Sequence, residues 1–318
     1  MDVQDILDRK IRELPSGPYT DGLRAVKSHI DAAVRHFARA QTDDDDQLFT
    51  DAIYRCNHAF EGSIKEAYRV LTGKDPHKKT PADIELYLAS GNLLRKKVLD
   101  QFTNYRKEWR NPSTHDHTVD FDEDEALLAI VSVTVFAIVL CDQIESKVAF
   151  ETAAASAAVS ATDVTAPLES LLELVARIVM EFGANHIDSD SPSGSPVHDY
   201  YRLEGELAGY LSANLSSVNG IEVIQNPRMF SREADIAISK NGESVIVELK
   251  RTSRSIGLRA VIERAITQAA VYLHEPNVIG AVAFVYSNTE RVYKIEPSAG
   301  ALAELVRVIA PAERSRHA

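Results

Sequence analysis

Two carboxylates and a lysine occur in segment 232–252 at a spacing that suits phosphodiester hydrolysis. The segment has the sequence READIAISKNGESVIVELKRT and carries Asp235, Glu248 and Lys250. Mg²⁺ is usually bound by one or two carboxylates, waters and a substrate phosphate. A lysine beside such an ion can orient or deprotonate the attacking water. The pattern therefore predicts a site for metal-assisted hydrolysis, and the alternative is an ion-paired strand surface.

A β-hairpin is expected to bring these residues together, because Asn241-Gly242 joins two runs of alternating apolar residues. Asn-Gly favours the type I′ turn of a two-residue loop, which fixes the register and places Asp235 opposite Glu248. Facing carboxylates about 4 Å apart repel by on the order of 4 kcal/mol at an effective dielectric near 20. A cation is therefore expected between them, either Lys250 or a divalent metal. The opposite, core side of the hairpin is predicted to carry Ala234, Ile236, Ile238, Val245, Val247 and Leu249.

The composition is that of a globular protein long enough for two domains, with 318 residues and a formal net charge of −12. This charge argues against a broadly basic surface that coats DNA, so any contact with nucleic acid must be a local patch. Cys56 and Cys141 are too few for a disulfide framework or a cysteine zinc site. No signal peptide is evident at the start of the sequence. A reducing, cytoplasmic location is expected.

Residues 1–150 show helical periodicity throughout. The stretch Ala126–Cys141 is almost entirely apolar, but it is short for a membrane span and has acidic residues on both sides. It is therefore expected to be the buried helix of a bundle, with no membrane contact. The predicted helices are Leu23–Phe37, Leu48–Leu71, Ile84–Tyr105 and Ala126–Val148.

A second candidate group follows the third predicted helix, where Arg110, Asn111 and His115 lie close together in the sequence. Pro112 is expected to end the helix that carries Arg110 and to leave His115 in a loop near the helix end. An arginine can hold a phosphate bidentately, while a neutral imidazole accepts a proton from a hydroxyl. This pair would suffice to cleave RNA through its own 2′-hydroxyl without a metal. The alternative is a helix-end arginine and a solvated loop histidine.

An arginine, a polar residue, a short gap and a histidine after the third long helix of a bundle resemble the motif of the HEPN family. The resemblance covers roughly residues 20–150 and rests on Arg110, Asn111 and His115. Members of this family are often metal-independent ribonucleases in which two protomers share a composite site, and others only dimerise. The resemblance implies an all-α bundle that forms a homodimer, with RNA cleavage as a further expectation.

The rest of the chain is expected to form a connecting region and an α/β domain. Residues 151–196 indicate a linker, or an extension of the preceding helix, with a short helix Leu171–Phe182 and a flexible loop. Residues 197–318 predict an α/β layer fold with a mixed sheet. Besides the hairpin, the predicted elements are helix Tyr200–Leu215, strand Ile221–Asn226, a helix opened by Ser255 and Gly257, strands Val278–Tyr286 and Arg291–Ile295, and a closing helix Gly300–Ile309.

Two helices flanking the hairpin carry further candidate residues. Glu204 lies next to an apolar stripe and can lean toward a sheet packed beneath it, whereas Glu206 is expected to point more to water. The choice between these glutamates rests on helix phase alone. Gln268, on the following helix, can face the site across the sheet. The residues expected to contact nucleic acid are Arg251, Arg254 and Arg264.

The order of these elements and residues resembles the PD-(D/E)xK nuclease superfamily, which has the restriction-endonuclease-like fold. The resemblance spans about residues 197–298, and a glutamate-alanine pair precedes Asp235 where the motif has proline. In this superfamily the three acids bind Mg²⁺ or Mn²⁺, which implies that role for Glu204, Asp235 and Glu248. The resemblance also implies that Lys250 assists the attacking water and that Gln268 belongs to the catalytic set.

The sequence as a whole therefore predicts a metal-dependent nuclease that acts on DNA, with RNA as the alternative substrate. The HEPN-like bundle is expected to form a homodimer and to add RNA cleavage. Two nuclease domains in one chain suggest, by analogy, an anti-phage defence effector. The competing hypothesis is a binding or sensing module that holds nucleic acid without cutting it and dimerises through the bundle.

Overall fold

A computed structural model describes residues 2–91, 93–115, 118–160, 169–185, 198–216, 218–229, 232–252, 257–287, 292–298 and 300–312. The chain divides into two compact units, one ending at Val148 and the other beginning at Ala149. The first unit is helical, and the second contains a mixed sheet of six strands with helices. The predicted helical first part and mixed α/β second part are confirmed at this level.

The first unit is held together by one core of aliphatic and aromatic side chains. Phe60 lies at its centre and stacks on both Phe102 and Tyr105. The elements described up to residue 160 are α1 (Val3–Glu13), α2 (Thr20–Asp43), α3 (Gln47–Thr72), α4 (Pro81–Ser90), α5 (Lys96–Tyr105), a π-helical turn (Arg106–Arg110), α6 (Asn111–His115) and α7 (Glu123–Ser160).

The predicted single helix from Ile84 to Tyr105 is wrong, because α4 ends at Ser90 and α5 begins at Lys96. Gly91 follows the last residue of α4, and glycine costs about 1 kcal/mol in a helix relative to alanine. Leu94 is buried between the two helices. The helix therefore breaks at Gly91, and the connection between α4 and α5 places Leu94 in the core.

Helix α7 contains a stretch, Glu123–Ala157, that is long and apolar enough to cross a membrane. Of the most apolar 18-residue window in this stretch, 61% is buried inside the protein. Such burial is typical of the core helix of a soluble protein. The expected burial of Ala126–Cys141 is only partial. Four apolar side chains of α7 remain 43–57% exposed: Leu127, Leu128, Val131 and Val135.

The connecting region differs from a simple linker. Residues 151–160 continue α7, and the next described helix, α8 (Leu171–Asn185), is longer than the predicted Leu171–Phe182. One face of α8 is buried against the sheet of the second unit. The predicted loop Asp188–Pro196 lies outside the described residues.

The second unit has a central sheet in the order β1-β4-β5-β6-β8-β7. Pairs β5–β6 and β6–β8 are parallel, and the other three pairs are antiparallel. The remaining elements of this unit are α9 (His198–Leu215), β1 (Ile221–Gln225), β2 (Arg228–Met229), β3 (Arg232–Glu233), β4 (Ile236–Lys240), β5 (Glu243–Arg251), α10 (Leu258–Tyr272), β6 (Val278–Tyr286), β7 (Tyr293–Pro297), a 3₁₀ turn (Gly300–Leu302) and β8 (Val306–Pro311).

Both faces of this sheet are buried. Helices α8 and α9 pack on the face that carries Val245, Val247 and Leu249, and α10 packs on the face that carries Ala237 and Ile246. A strand covered on both sides needs apolar residues at consecutive positions, as in most of β5 and β6. The catalytic candidates on β5 therefore stand at the end of a buried strand.

The predicted hairpin and its register are confirmed. Strands β4 and β5 pair from Lys240 with Glu243 to Ile236 with Val247. The φ angles of Asn241 and Gly242 are 54° and 87°, as a type I′ turn requires.

The prediction for the core side of the hairpin is wrong at one residue, Ala234. Ala234 is buried with Ala237 on the α10 face, whereas Ile236 faces α8 and α9. The last β4–β5 pair is Ile236 with Val247, so the alternation of side chains need not extend to residue 234.

The predicted closing helix Gly300–Ile309 is wrong. Only a short 3₁₀ turn forms at Gly300–Leu302, and Val306–Pro311 is strand β8. This segment carries the β-branched residues Val306, Val308 and Ile309, and it pairs with β6 in parallel. The pairing extends the sheet and buries β8 under α10.

Candidate active site

Asp235 lies where β4 begins, one residue beyond the last β4–β5 pair. The register count placed Asp235 opposite Glu248, and this pair would be the next step beyond the end of the ladder. Its Oδ2 accepts a hydrogen bond from the backbone N–H of Leu249 at 2.7 Å, and its Oδ1 accepts one from the Tyr200 hydroxyl at 2.6 Å. Only 9% of Asp235 is exposed. Both carboxylate oxygens are thus held in place by neutral donors.

Glu204 is fully buried on the side of α9 that faces the sheet. Its Oε1 accepts a hydrogen bond from the side-chain amide of Asn226 at 2.8 Å. Glu206 instead pairs with Arg202 at 2.7 Å, within the same helix. Of the two glutamates left open by helix phase, the structure brings Glu204 to Asp235 and Tyr200, and keeps Glu206 in a surface ion pair.

Glu248 lies on the α10 face of β5 and is 1% exposed. Lys250, two residues along the strand, donates to Glu248 Oε1 at 2.6 Å. Burial, followed by the negative charge of Asp235, raises the pKa of Glu248 to about 7, although Lys250 acts in the opposite direction. Since a low-dielectric surrounding disfavours a charged carboxylate, Glu248 holds a proton more readily than a surface glutamate does.

The Tyr200 hydroxyl donates to Asp235 and is affected by the charges of two further carboxylates. Burial raises its pKa well above the usual range, and the charges of Asp235, Glu204 and Glu248 raise it further. Hydrogen bonds thus link Tyr200 of α9, Asp235 at the start of β4 and the Leu249 N–H of β5. This hydrogen-bonded group is the main feature of the site.

Gln268 reaches the same region through Tyr272 on α10. The Tyr272 hydroxyl donates to the carbonyl of Glu233 at 3.0 Å. Burial and the charge of Glu248 raise the pKa of Tyr272 to about 12, and a hydrogen bond with Gln268 opposes this shift. Gln268 therefore lies near Glu248, with Tyr272 between the two side chains.

The donor set suits Mg²⁺ or Mn²⁺ in its chemistry, because all three candidate ligands are carboxylates. Glu248 Oε2 is buried without a hydrogen-bond partner in the described part of the chain, so one ligand atom is available. Within that same part, no three side chains of the metal-binding types form a ready group for an ion. The residues that would hold the ion are Glu204, Asp235 and Glu248.

The three arginines expected to contact nucleic acid differ in position. Arg264 is exposed on α10, one turn before Gln268. Arg251 is half-buried and, by strand alternation, belongs to the face of β5 opposite Glu248 and Lys250. Arg254 lies outside the described residues.

In the first unit, Pro112 was predicted to end the helix that carries Arg110, but the helical backbone continues through Pro112. The backbone N–H of Asn111 bonds to the carbonyl of Arg106, and this π-helical turn leads directly into α6. Proline is accepted in the first turn of a helix, where its missing N–H has no intrahelical partner to lose. His115 is therefore the last residue of α6 and not a loop residue.

Arg110 is engaged by its neighbours. Its Nε and a terminal nitrogen each lie 3.0 Å from Glu61 Oε1, and Nη1 donates to Asn111 Oδ1 at 3.4 Å. The side chain of His115 lies outside the described part of the chain. The described contacts of Arg110 are thus those of a structural ion pair, and the arginine–histidine ribonuclease site stays a prediction.

Sequence reasoning missed Tyr200, Asn226 and Tyr272. Tyr200 had a usable signal, because it precedes Glu204 by four residues and such residues share a helix face. Asn226 had only a weak one, an asparagine at the end of a strand just before a proline.

No family model matches the chain, and comparisons with curated proteins and with solved structures find no significant match. The function is therefore inferred from the residues of the site.

Proposed function

We propose that the second unit is a divalent-metal-dependent nuclease that hydrolyses phosphodiester bonds, with DNA as its expected substrate. The observation that supports this most is the set of three buried carboxylates: Asn226 bonds to both Glu204 and Asp235, and Asp235 bonds to the Leu249 N–H beside Glu248. Lys250, ion-paired to Glu248, supplies the cationic group that such chemistry uses.

Each residue has a role in this proposal. Glu204, Asp235 and Glu248 hold the ion, which when bound stabilises the negative charge that develops on the phosphate. Lys250 is 29% exposed and lies beside the carboxylates, so it can orient the attacking water by hydrogen bonding. Gln268 supports the site from α10 through Tyr272.

The competing function is nucleic-acid binding without cleavage. Three buried carboxylates repel a phosphate backbone unless a cation neutralises them. Keeping them charged is also costly, as the raised pKa of Glu248 indicates. A surface for binding alone has no need of this arrangement, which favours the enzyme.

The test is a cleavage assay of the purified full-length chain on plasmid DNA and on single-stranded RNA. Each substrate is incubated with Mg²⁺, with Mn²⁺ and with a chelator. We expect cleavage that requires metal and that falls by at least about 10²-fold in Asp235→Asn and in Lys250→Met, since each removes a group that acts in the transition state. Glu206→Gln, a change in the surface ion pair of the same helix, is the matched control and should cut like the wild type.

Cleavage that resists chelation, or that both site variants retain, would exclude this function. Metal-dependent binding of DNA with no cleavage would instead favour the binding module. Thermal unfolding of each variant verifies that the fold is intact.

A further inference from the structure

Helix α9 carries two side chains that reach the site from one side of the helix. Tyr200 and Glu204 are four residues apart, a spacing that makes them neighbours on the helix surface. The Tyr200 hydroxyl donates to Asp235 Oδ1 at 2.6 Å. Helix α9 therefore supplies the carboxylate of Glu204 and, through Tyr200, also binds the carboxylate of Asp235.

Asn226 connects the same two carboxylate residues from the end of β1. Its side-chain amide donates to Glu204 Oε1 at 2.8 Å, and its backbone N–H donates to the carbonyl of Asp235 at 2.9 Å. Its φ of 50° lies in the left-handed region, which asparagine tolerates better than most residues. One residue thus fixes the Glu204 side chain and the Asp235 backbone together.

Each of these contacts acts on a buried carboxyl group, since Glu204 and Asp235 are 0% and 9% exposed. Hydrogen bonds to charged groups are stronger than neutral ones, and a buried carboxylate that loses a donor is free to turn toward another. Removing either contact would therefore release a carboxylate without removing it.

We infer that Tyr200 and Asn226 are positioning residues, which orient Asp235 and Glu204 so that a divalent cation finds two of its ligands already in place. This inference rests on the proposed function, because it concerns the same metal ligands. Neither residue is itself a ligand, and each acts through the carboxylate that it contacts.

Two variants remove these contacts selectively in the full-length chain. Tyr200→Phe deletes only the hydroxyl, and Asn226→Gly deletes the amide while keeping the backbone N–H and permitting the left-handed φ. The matched controls are Tyr210→Phe, on the same helix, and Asn241→Gly, at another left-handed asparagine.

The binding of Mn²⁺ is measured by isothermal titration calorimetry, and the Mg²⁺ concentration for half-maximal cleavage is measured in parallel. We expect each test variant to bind Mn²⁺ about tenfold more weakly, with a similar shift in the Mg²⁺ requirement. The cleavage rate at saturating metal should stay near that of the wild type, which a general loss of structure would not allow. Both controls should match the wild type.

The outcomes separate this inference from the function on which it rests. Wild-type affinity in both test variants, when Asp235→Asn binds no Mn²⁺, would overturn the positioning role and leave the nuclease proposal standing. Binding that persists in Asp235→Asn, or that is absent from the wild type, would overturn both. The two test variants remove separate contacts, so one of them is sufficient for the test. The variant used must unfold in chelator with the same transition as the wild type, which shows that it is folded.

Discussion

At the scale of the residue, Glu248 links the stability of the protein to pH. Its pKa is raised from 4.5 to about 7, so the folded protein holds its proton more tightly than the unfolded chain does. The stability contributed by this proton is complete below about pH 4.5 and is lost as pH rises through about 7. Above that range the buried charge costs on the order of 3 kcal/mol.

Glu248→Gln should therefore stabilise the second unit in a pH-dependent way. We expect the free energy of unfolding of the variant minus that of the wild type to be about 2–3 kcal/mol larger at pH 8 than at pH 5. Urea denaturation at the two pH values measures the difference. Glu206→Gln serves as the comparison and should show little change, and an equal effect of Glu248→Gln at both pH values would contradict the raised pKa.

At the scale of the element, the Asn241-Gly242 turn sets the register that carries Glu248 and Lys250 to one face of β5. The φ of Gly242 is 87°, and a Cβ added there meets no atom within 4 Å. The cost of a side chain at this position is therefore conformational and not steric.

Gly242→Ala should lower the free energy of unfolding by about 1–2 kcal/mol, because an L-residue is strained at this φ. Gly242→Asn should cost clearly less, since asparagine tolerates the left-handed region. Chemical denaturation of the two variants compares them at one position. Equal losses in both would mean that the turn needs glycine for another reason.

The same scale shows what the sequence could predict. Local signals identified the hairpin, because turn chemistry and period-two alternation agree there. The approach of Glu204 followed from helix phase, but the contact of Asp235 with the Leu249 N–H did not, since it forms beyond the end of the ladder. Strand β8 was misjudged as a helix because a short apolar run fits both periods, and only its pairing with β6 decides the outcome.

At the scale of the whole molecule, an exposed apolar stripe on α7 is the feature that suits self-association. Leu127, Val131 and Val135 are spaced four residues apart, and Leu128 adjoins them. Exposed apolar patches of this kind mark interaction surfaces. The expected homodimer through the helical unit would cover this stripe.

A charge within the stripe should then convert the dimer to a monomer. We expect the double variant Leu128→Glu, Val131→Glu to elute as a monomer at concentrations where the wild type is a dimer, because the interface would have to bury both charges. Light scattering coupled to size-exclusion chromatography measures the mass. Leu86→Glu, at an exposed leucine of α4, is the control, and a monomeric wild type would refute the dimer.

The hydrogen bond from the Leu249 amide to Asp235 also gives the protein a built-in spectroscopic reporter. This proton points at a carboxylate instead of a peptide carbonyl, so its electronic surroundings depend on whatever that carboxylate binds. In a nuclear magnetic resonance titration, a single labelled leucine resonance would register cation loading at the site directly, with no substrate and no turnover.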